Sequence, residues 1–201
     1  MIVDYPYAVR GTEYPDYIDG PGDFQQDVGI QARFFTNSTD AGLEAGAIVS
    51  LIFTIDRPAK AVWSYFKDFN LWQNATQHYY SGVVGDLEGK TFALGLDKND
   101  LGPQRYNVIR VVPEHFIVIH QPIPADGSTG GVSPGFHVFT LNEHGGKTVI
   151  TGYMQHSTRT RGKSVEEALA YWRGADMAPE WVRKWRDEFI PALKQLVYGA
   201  S

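Results

Sequence analysis

The chain has 201 residues, 43% of them hydrophobic and 20% charged, which is typical of a globular protein with a sizeable core. It has no cysteine, which excludes disulfides, thiolate metal ligands and a cysteine nucleophile. Residues 1–46 hold eight acidic residues against Arg10 and Arg33, a balance of −6, so within the total of −5 the rest of the chain is near +1. Neither part has the charge expected of a nucleic-acid-binding protein.

Export and membrane insertion find no support in the sequence. The first ten residues lack a basic segment followed by an apolar run, and the longest apolar stretch, AGAIVSLIFTI, is too short to cross a bilayer. We therefore expect a cytoplasmic protein without stable membrane association.

Residues 1–46 predict an acidic, aromatic-rich arm that precedes a ligand-binding domain over residues 47–201. The arm is rich in proline, glycine and aspartate, but its seven aromatic residues argue against free disorder. We expect it to lie across the domain as a lid, or across a second copy of the chain as a homodimer contact. The seven residues are Tyr5, Tyr7, Tyr14, Tyr17, Phe24, Phe34 and Phe35.

The spacing of apolar residues changes at Pro58. Up to Ile55 they alternate, as on one face of a β-strand. From Pro58, which suits the first position of a helix, they recur at helical spacing. Asp68 or Asn70 can cap a second short helix. The sequence therefore predicts a strand followed by two short helices.

Six further strands are predicted between residues 78 and 158, separated by turn signals such as DLEG, VPEH and EHGGK. Ser164 and Glu167 have the spacing of a capping box, which predicts a helix over residues 165–173. A longer helix is predicted from Pro179, with a kink at Pro191. The predicted fold class is α+β, with seven antiparallel strands and a long C-terminal helix.

The stretch TIDRPAKAVWSYFKDFNLW, together with this order of elements over about residues 47–198, resembles the START-like (SRPBCC) superfamily, which includes polyketide cyclase/dehydrase and birch-pollen-allergen types. The resemblance implies a helix-grip fold, in which a curved antiparallel sheet surrounds the C-terminal helix and leaves a cavity for an apolar ligand. It implies functions that range from lipid and hormone carriers to cyclases and lyases. The arm is not part of the family's minimal pattern.

A single helix is too narrow to fill the concave face of such a sheet, so side chains and a ligand are expected to share the space. Large rings on the helices would wall this space, or would simply fill the core. Strand alternation adds further apolar residues to the wall. The expected ligand-binding residues are Trp63, Trp72, Tyr80, Phe116, Val118, Phe139, Met154, Trp181 and Trp185.

The facing of the strands around VPEH follows from the turn. A two-residue turn after Val112 would pair that residue with His115. Because Arg110 and His115 flank this exposed turn, we expect their face to meet solvent and the opposite face to meet the cavity. The polar residues on the expected cavity side are Arg105, Asn107 and His120.

The last hairpin turns at EHGGK and is expected to pair Phe139 with Ile150. Its bulkier face, which we take as inward, carries His137 and His156. Three histidines are therefore expected in one cavity, where they could act as acid–base groups, bind a metal, or be partly buried side chains bonded to backbone or water. Arg105, if buried, requires an anion; otherwise it lies at the rim.

Proton transfer is the chemistry that these residues suit, since the chain lacks a serine elbow, a phosphate-binding glycine loop and a metal-ligand spacing. We expect a lyase, dehydratase or cyclase that acts on an aromatic or polyketide-like molecule, with no cofactor and no metal. The alternative is a non-catalytic carrier or sensor of a lipid or other hydrophobic small molecule. The candidate catalytic residues are Arg105, Asn107, His120, His137 and His156.

Overall fold

The computed structural model describes residues 18–39, 42–69, 79–80, 83–95, 105–121, 135–159 and 164–199. Three α-helices lie in these ranges, besides a short 3-10 helix at Val84–Asp86. They are α1 (Ala59–Phe66), α2 (Val165–Arg173) and α3, which runs through Ala178–Lys184, Trp185–Phe189 and Ile190–Gly199. The strands are β1 (Ile18–Gln25), β2 (Val28–Thr39), β3 (Gly42–Ile55), β4 (Tyr79–Tyr80), β5 (Thr91–Gly95), β6 (Arg105–Val112), β7 (Phe116–Gln121), β8 (Gly135–His144) and β9 (Lys147–Arg159).

The nine strands found in the described ranges form one antiparallel sheet in the order β1-β2-β3-β9-β8-β7-β6-β5-β4. Strands β3 to β9 are the seven predicted from the sequence, in the predicted chain order, and α1, α2 and α3 follow where expected. The predicted α+β helix-grip fold is therefore confirmed. The second short helix predicted after α1 falls mostly outside the described residues.

Residues 18–39, which the sequence analysis assigned to the arm, form a hairpin that extends the sheet. β2 pairs with β3 along its whole length, from Val28 opposite Phe53 to Thr39 opposite Gly42. Within β2, Ile30, Ala32 and Phe34 alternate and are buried. For this part of the arm, the structure shows paired strands rather than a segment lying across the domain.

The helices pack against one face of the sheet, which we call the inner face. Phe66 of α1 and Trp185 of α3 both contact Phe139 of β8, with ring centroids 5.4 and 5.5 Å apart. Trp172 of α2 donates its indole N–H to Thr158 of β9 at 3.2 Å. The main core therefore lies between the inner face and the three helices.

The beginnings of α1 and α2 are each held by a side chain. Glu143 of β8 accepts a 2.8 Å hydrogen bond from the backbone N–H of Ala59, which satisfies a free donor at the start of α1. Ser164 and Glu167 form the predicted capping box, with bonds of 2.7 and 3.2 Å. These bonds fix where the two helices begin on the sheet.

The α3 helix is π-helical over Trp185–Phe189, just before Pro191. Proline has no N–H, so it cannot donate to the carbonyl of Asp187 as an α-helix requires. The irregularity predicted at Pro191 thus occurs in the preceding turn. In the described part of the chain, neither α3 nor another helix is long and apolar enough to cross a bilayer.

The β1–β2 hairpin is tied to α3 by an ion pair. Asp23 of β1 accepts a 2.9 Å hydrogen bond from Arg186 of α3, and Arg186 also holds Asp187 through two bonds of 2.6 Å. The hairpin thus extends the surface that the sheet offers to the C-terminal helix.

Candidate functional site

His137 and His156 form a pair on the inner face. They lie on neighbouring strands in diagonal positions, since His137 is opposite Met154 and His156 is opposite Gly135. Their Nε2 atoms lie 2.6 Å apart and their ring centroids 4.9 Å apart. A contact of this kind needs one proton, so one ring donates from Nε2–H and the other accepts. The structure therefore places both histidines inward, as strand alternation predicted.

Gly135 makes room for this pair. A Cβ built on Gly135 would lie 2.6 Å from Nδ1 of His156 and 2.5 Å from the backbone oxygen of Gln155, closer than real Cβ contacts allow. The His156 ring therefore lies over the backbone of β8, in the space where any other residue would have its side chain. This position brings the ring next to His137.

Aromatic rings surround the two histidines. The ring centroid of Trp181 in α3 lies 4.8 Å from that of His156 and 5.8 Å from that of Trp172 in α2. On the other side, the Tyr106 ring lies 5.9 Å from the His137 ring. Neither Tyr106 nor Trp172 was predicted to take part in the site. The helical spacing of Trp172 with other apolar residues of α2 was the signal that could have identified it.

Burial sets the charge of the site. It lowers the pKa of His137 to about 4, because a charged ring would lose its hydration there, so this histidine is neutral at pH 7. Burial also raises the pKa of the Tyr106 phenol well above its usual range, which keeps the phenol protonated. His137 nevertheless retains some accessible surface, whereas the neighbouring Ile119 and Phe139 are almost fully buried. His137 is therefore less completely covered than its neighbours on the inner face.

Gln121 adds a polar group to the inner face. It alternates with the buried Ile117 and Ile119 along β7 and is only 3% exposed. Its strand partner is Gly135, which is in turn opposite His156. Within the part of the chain that the structure describes, its Oε1 atom accepts no hydrogen bond. Such an atom is rare among buried polar groups and calls for an explanation.

The predicted facing of β6 and β7 is wrong. Asn107 and His120 do pair across the two strands, but Tyr106 and Val108, with the opposite alternation, are the residues buried on the inner face. Two features cause the error: the turn is one residue longer than predicted, so that Val112 is opposite Phe116 and the facing of β7 is reversed, and a β-bulge lies between Val108 and Arg110 of β6. Arg110 is exposed as expected, but the bulge adds a residue and reverses the alternation beyond it.

His120 therefore lies on the outer face, away from the histidine pair. Its ring stacks on Phe136 with centroids 4.6 Å apart, and burial lowers its pKa. Two histidines, rather than the three expected, thus meet on the inner face. In the described residues, no group of three His, Asp or Glu side chains is placed to hold a metal ion.

The remaining predicted site residues divide into three sets. Phe116 and Val118 share the outer face with His120, so their expected position in the cavity wall is also wrong. Arg105 pairs with Ala93 through its backbone, and its side chain is outside the described part. Trp72 and the side chain of Tyr80 are also outside it. The predicted wall residues on the inner face or on the helices packed against it are Trp63, Phe139, Met154, Trp181 and Trp185.

No protein-family model and no curated protein sequence matches the chain. Several solved structures do match it. SA2116 from Staphylococcus aureus, a protein of unknown function, aligns over 78% of this chain and 96% of its own with 8% identity and a TM-score of 0.60. A protein from Arthrobacter aurescens aligns over 76% of this chain and 86% of its own, with 14% identity and a TM-score of 0.53. CalU16 from Micromonospora echinospora aligns over 85% of this chain and 94% of its own, with 20% identity and a TM-score of 0.42.

At these identities, the likenesses to the Staphylococcus and Arthrobacter proteins concern the fold alone. They show that the arrangement of sheet and helices found here exists in other proteins. An antiparallel sheet with a long C-terminal helix packed on one face fits the START-like fold that the sequence resembles.

Proposed function

We propose that the inner face of the sheet binds a mostly apolar small molecule of about aromatic size, beside the His137–His156 pair. The observation that carries this proposal is the accessible surface of His137 among buried neighbours. The surroundings of the histidine pair, with Trp181 and Tyr106 beside it, have the composition of a ligand pocket: many apolar groups and few polar ones.

The charges of the site support a ligand without strong charge. Among the described side chains, the buried polar residues are Gln121, Thr148, His156 and Ser157, and no Asp, Glu, Lys or Arg is buried. A ligand anion would therefore lose its hydration without meeting a described buried cation. Of the two positions expected for Arg105, only burial would have required an anion, and the side chain of Arg105 is outside the described part.

Binding is best tested by native mass spectrometry of the freshly purified protein, followed by titration. Phenols, fatty acids and aromatic acids should be compared, with tryptophan fluorescence as the signal because Trp181 lies against His156. We expect saturable binding of apolar phenols, weakened by His156→Leu and unchanged by His120→Leu, the matched change on the outer face. If no compound of these classes binds saturably, the proposal fails.

A second function, catalysis, is favoured by the contact between the two Nε2 atoms. A joined pair can accept a proton at Nδ1 of one ring, pass the Nε2 proton across the 2.6 Å contact and release a proton from Nδ1 of the other ring. The pair stays neutral only if acceptance, transfer and release are concerted, and a buried site favours such a concerted relay over a charged intermediate. We propose that such a relay serves a lyase, dehydratase or cyclase without a cofactor, in which a proton leaves carbon and another reaches oxygen.

The low pKa of His137 makes it a weak base, which favours the carrier over the enzyme unless the relay operates. Hydrogen–deuterium exchange at a carbon of the bound ligand, followed by NMR, separates the two functions. A relay enzyme accelerates this exchange, and both His137→Gln and His156→Gln abolish the acceleration. A carrier binds the same ligand and leaves its exchange at the rate seen in buffer.

A further inference from the structure

Gln121 presents a hydrogen-bond acceptor for which the described protein supplies no donor. The residue is 3% exposed, and its position opposite Gly135 is fixed by the antiparallel pairing of β7 and β8. Its Oε1 atom makes no hydrogen bond within the described residues. A buried carbonyl oxygen without a donor costs free energy, so a donor that arrives with a ligand would recover that cost.

The surroundings of this oxygen are those of the histidine pair. Gln121, Gly135 and His156 occupy one row across three neighbouring strands, and such strands lie about 4.8 Å apart. Gly135 has no side chain, and the leaning His156 ring covers the backbone between the outer two residues. Gln121 and His156 are therefore two strand spacings apart, with His137 on the strand between them, so a ligand of aromatic size beside the histidine pair can extend to Gln121.

From this row we infer that the ligand is neutral at its polar end and donates an O–H or N–H to Oε1 of Gln121; this inference rests on the proposed function. Phenols, alcohols and amides meet the requirement. Carboxylates, phenolates and ethers do not, because an oxygen without a proton would place its lone pairs against those of Oε1. Gln121 would thus determine which molecules of suitable size and apolar surface are retained.

Three naphthalene compounds test the inference, since they match in size and differ in one group: 2-naphthol, 2-methoxynaphthalene and 2-naphthoate. With the full chain at pH 7, we expect 2-naphthol to bind about tenfold more tightly than its methyl ether, as one hydrogen bond in a buried site predicts. Gln121→Leu should remove this difference while the ether still binds. Gln121→Met, which keeps the unbranched shape, should do the same and guards against misfolding of the first variant.

Gln155→Met is the matched control, because Gln155 lies on the outer face and bonds to Tyr153 there. It should leave the preference for naphthol intact. Equal binding of naphthol and ether, a naphthol preference that survives both Gln121 variants, or tightest binding of naphthoate would each overturn the inference while the proposed binding function stands. Failure of all three compounds to bind, while another compound of the tested classes binds saturably, would overturn the inference alone; failure of every tested class would overturn both.

Discussion

His156 lies over Gly135, the residue opposite it on the neighbouring strand, with Nδ1 only 2.6 Å from the point where a Cβ would be. This relationship allows His156 to reach His137. The histidine pair therefore depends on Gly135, although this residue has no side chain that could take part in a reaction.

Gly135→Ala is therefore expected to separate the pair and to destabilise the protein. The added methyl group meets both the His156 ring and the backbone oxygen of Gln155, and overpacking of this kind costs about 1–3 kcal/mol. Urea unfolding measures the loss. Gly199→Ala is the matched control, since a Cβ at Gly199 has nothing within 4 Å, and it should cause no loss of stability. Equal stability of the two variants would contradict the packing described for His156.

The stability of the protein should fall as the pH drops from 7 to 5. The folded-state pKa of His137 is about 4, below the value of about 6.5 in an unfolded chain, so in this range the unfolded state binds the extra proton. The stabilisation is complete above about pH 6.5 and decreases towards pH 4. The expected loss between pH 7 and pH 5 is about 2 kcal/mol.

His137→Gln tests this origin, because glutamine is neutral at every pH in the range. Unfolding in urea at pH 7 and pH 5 should show a smaller loss for the variant than for the natural chain. The same loss in both proteins would mean that His137 is not neutral in the folded state or is not buried.

Asp23→Asn should loosen the β1–β2 hairpin. The change removes the charge that Arg186 of α3 binds at 2.9 Å, so amide hydrogen exchange in β1 and β2 should become faster while β8 and β9 stay protected. Lys147→Met is the control, since the pair of Lys147 with Asp56 is longer, 3.7 Å, and both side chains are mostly exposed. Unchanged exchange in β1 would show that the ion pair does not hold the hairpin.

His120→Ala should leave ligand binding at the inner face unchanged, because His120 lies on the opposite face against Phe136. A small loss of stability is expected from the lost ring contact. Calorimetric titration with 2-naphthol provides the comparison with His156→Ala, which should bind more weakly. A larger loss of affinity for His120→Ala than for His156→Ala would show that the ligand binds beside His120 rather than beside the histidine pair.

The two long hairpins show how far strand alternation can be used. At the β8–β9 turn, Gly145 and Gly146 both have positive φ, and the observed register places Phe139 opposite Gly152 rather than Ile150. The prediction was wrong by two residues, and since side chains repeat every two residues the predicted face was still right. The position of His137 was therefore predictable.

At the β6–β7 hairpin, the same method gave the wrong face for His120, because the pairing at the turn is shifted by one residue and this shift reverses the facing of β7. The turn itself is longer than predicted, with Val112 opposite Phe116 and Glu114 at a φ of 66°. On β6, the bulge after Val108 separately reverses the facing of Asn107. Neither the longer turn nor the bulge leaves a clear mark in the apolar pattern, so the two faces could not be predicted from the sequence.

The β1–β2 hairpin was missed for a different reason. The alternation of Ile30, Ala32 and Phe34 is a strand signal, but the proline, glycine and acidic residues before it suggested an arm. The contact between His137 and His156 was beyond prediction, because it depends on the register of β8 and β9 and on the space above Gly135.

The most direct test of ligand binding at the histidine pair is NMR of the histidine ring nitrogens during titration with 2-naphthol. The natural chain and its His→Gln variants assign the signals of His137, His156 and His120. Binding beside the pair predicts saturable shifts of the His137 and His156 nitrogens, with those of His120 unchanged. Saturable binding that shifts His120 alone, or that shifts no histidine, would contradict a ligand site on the inner face.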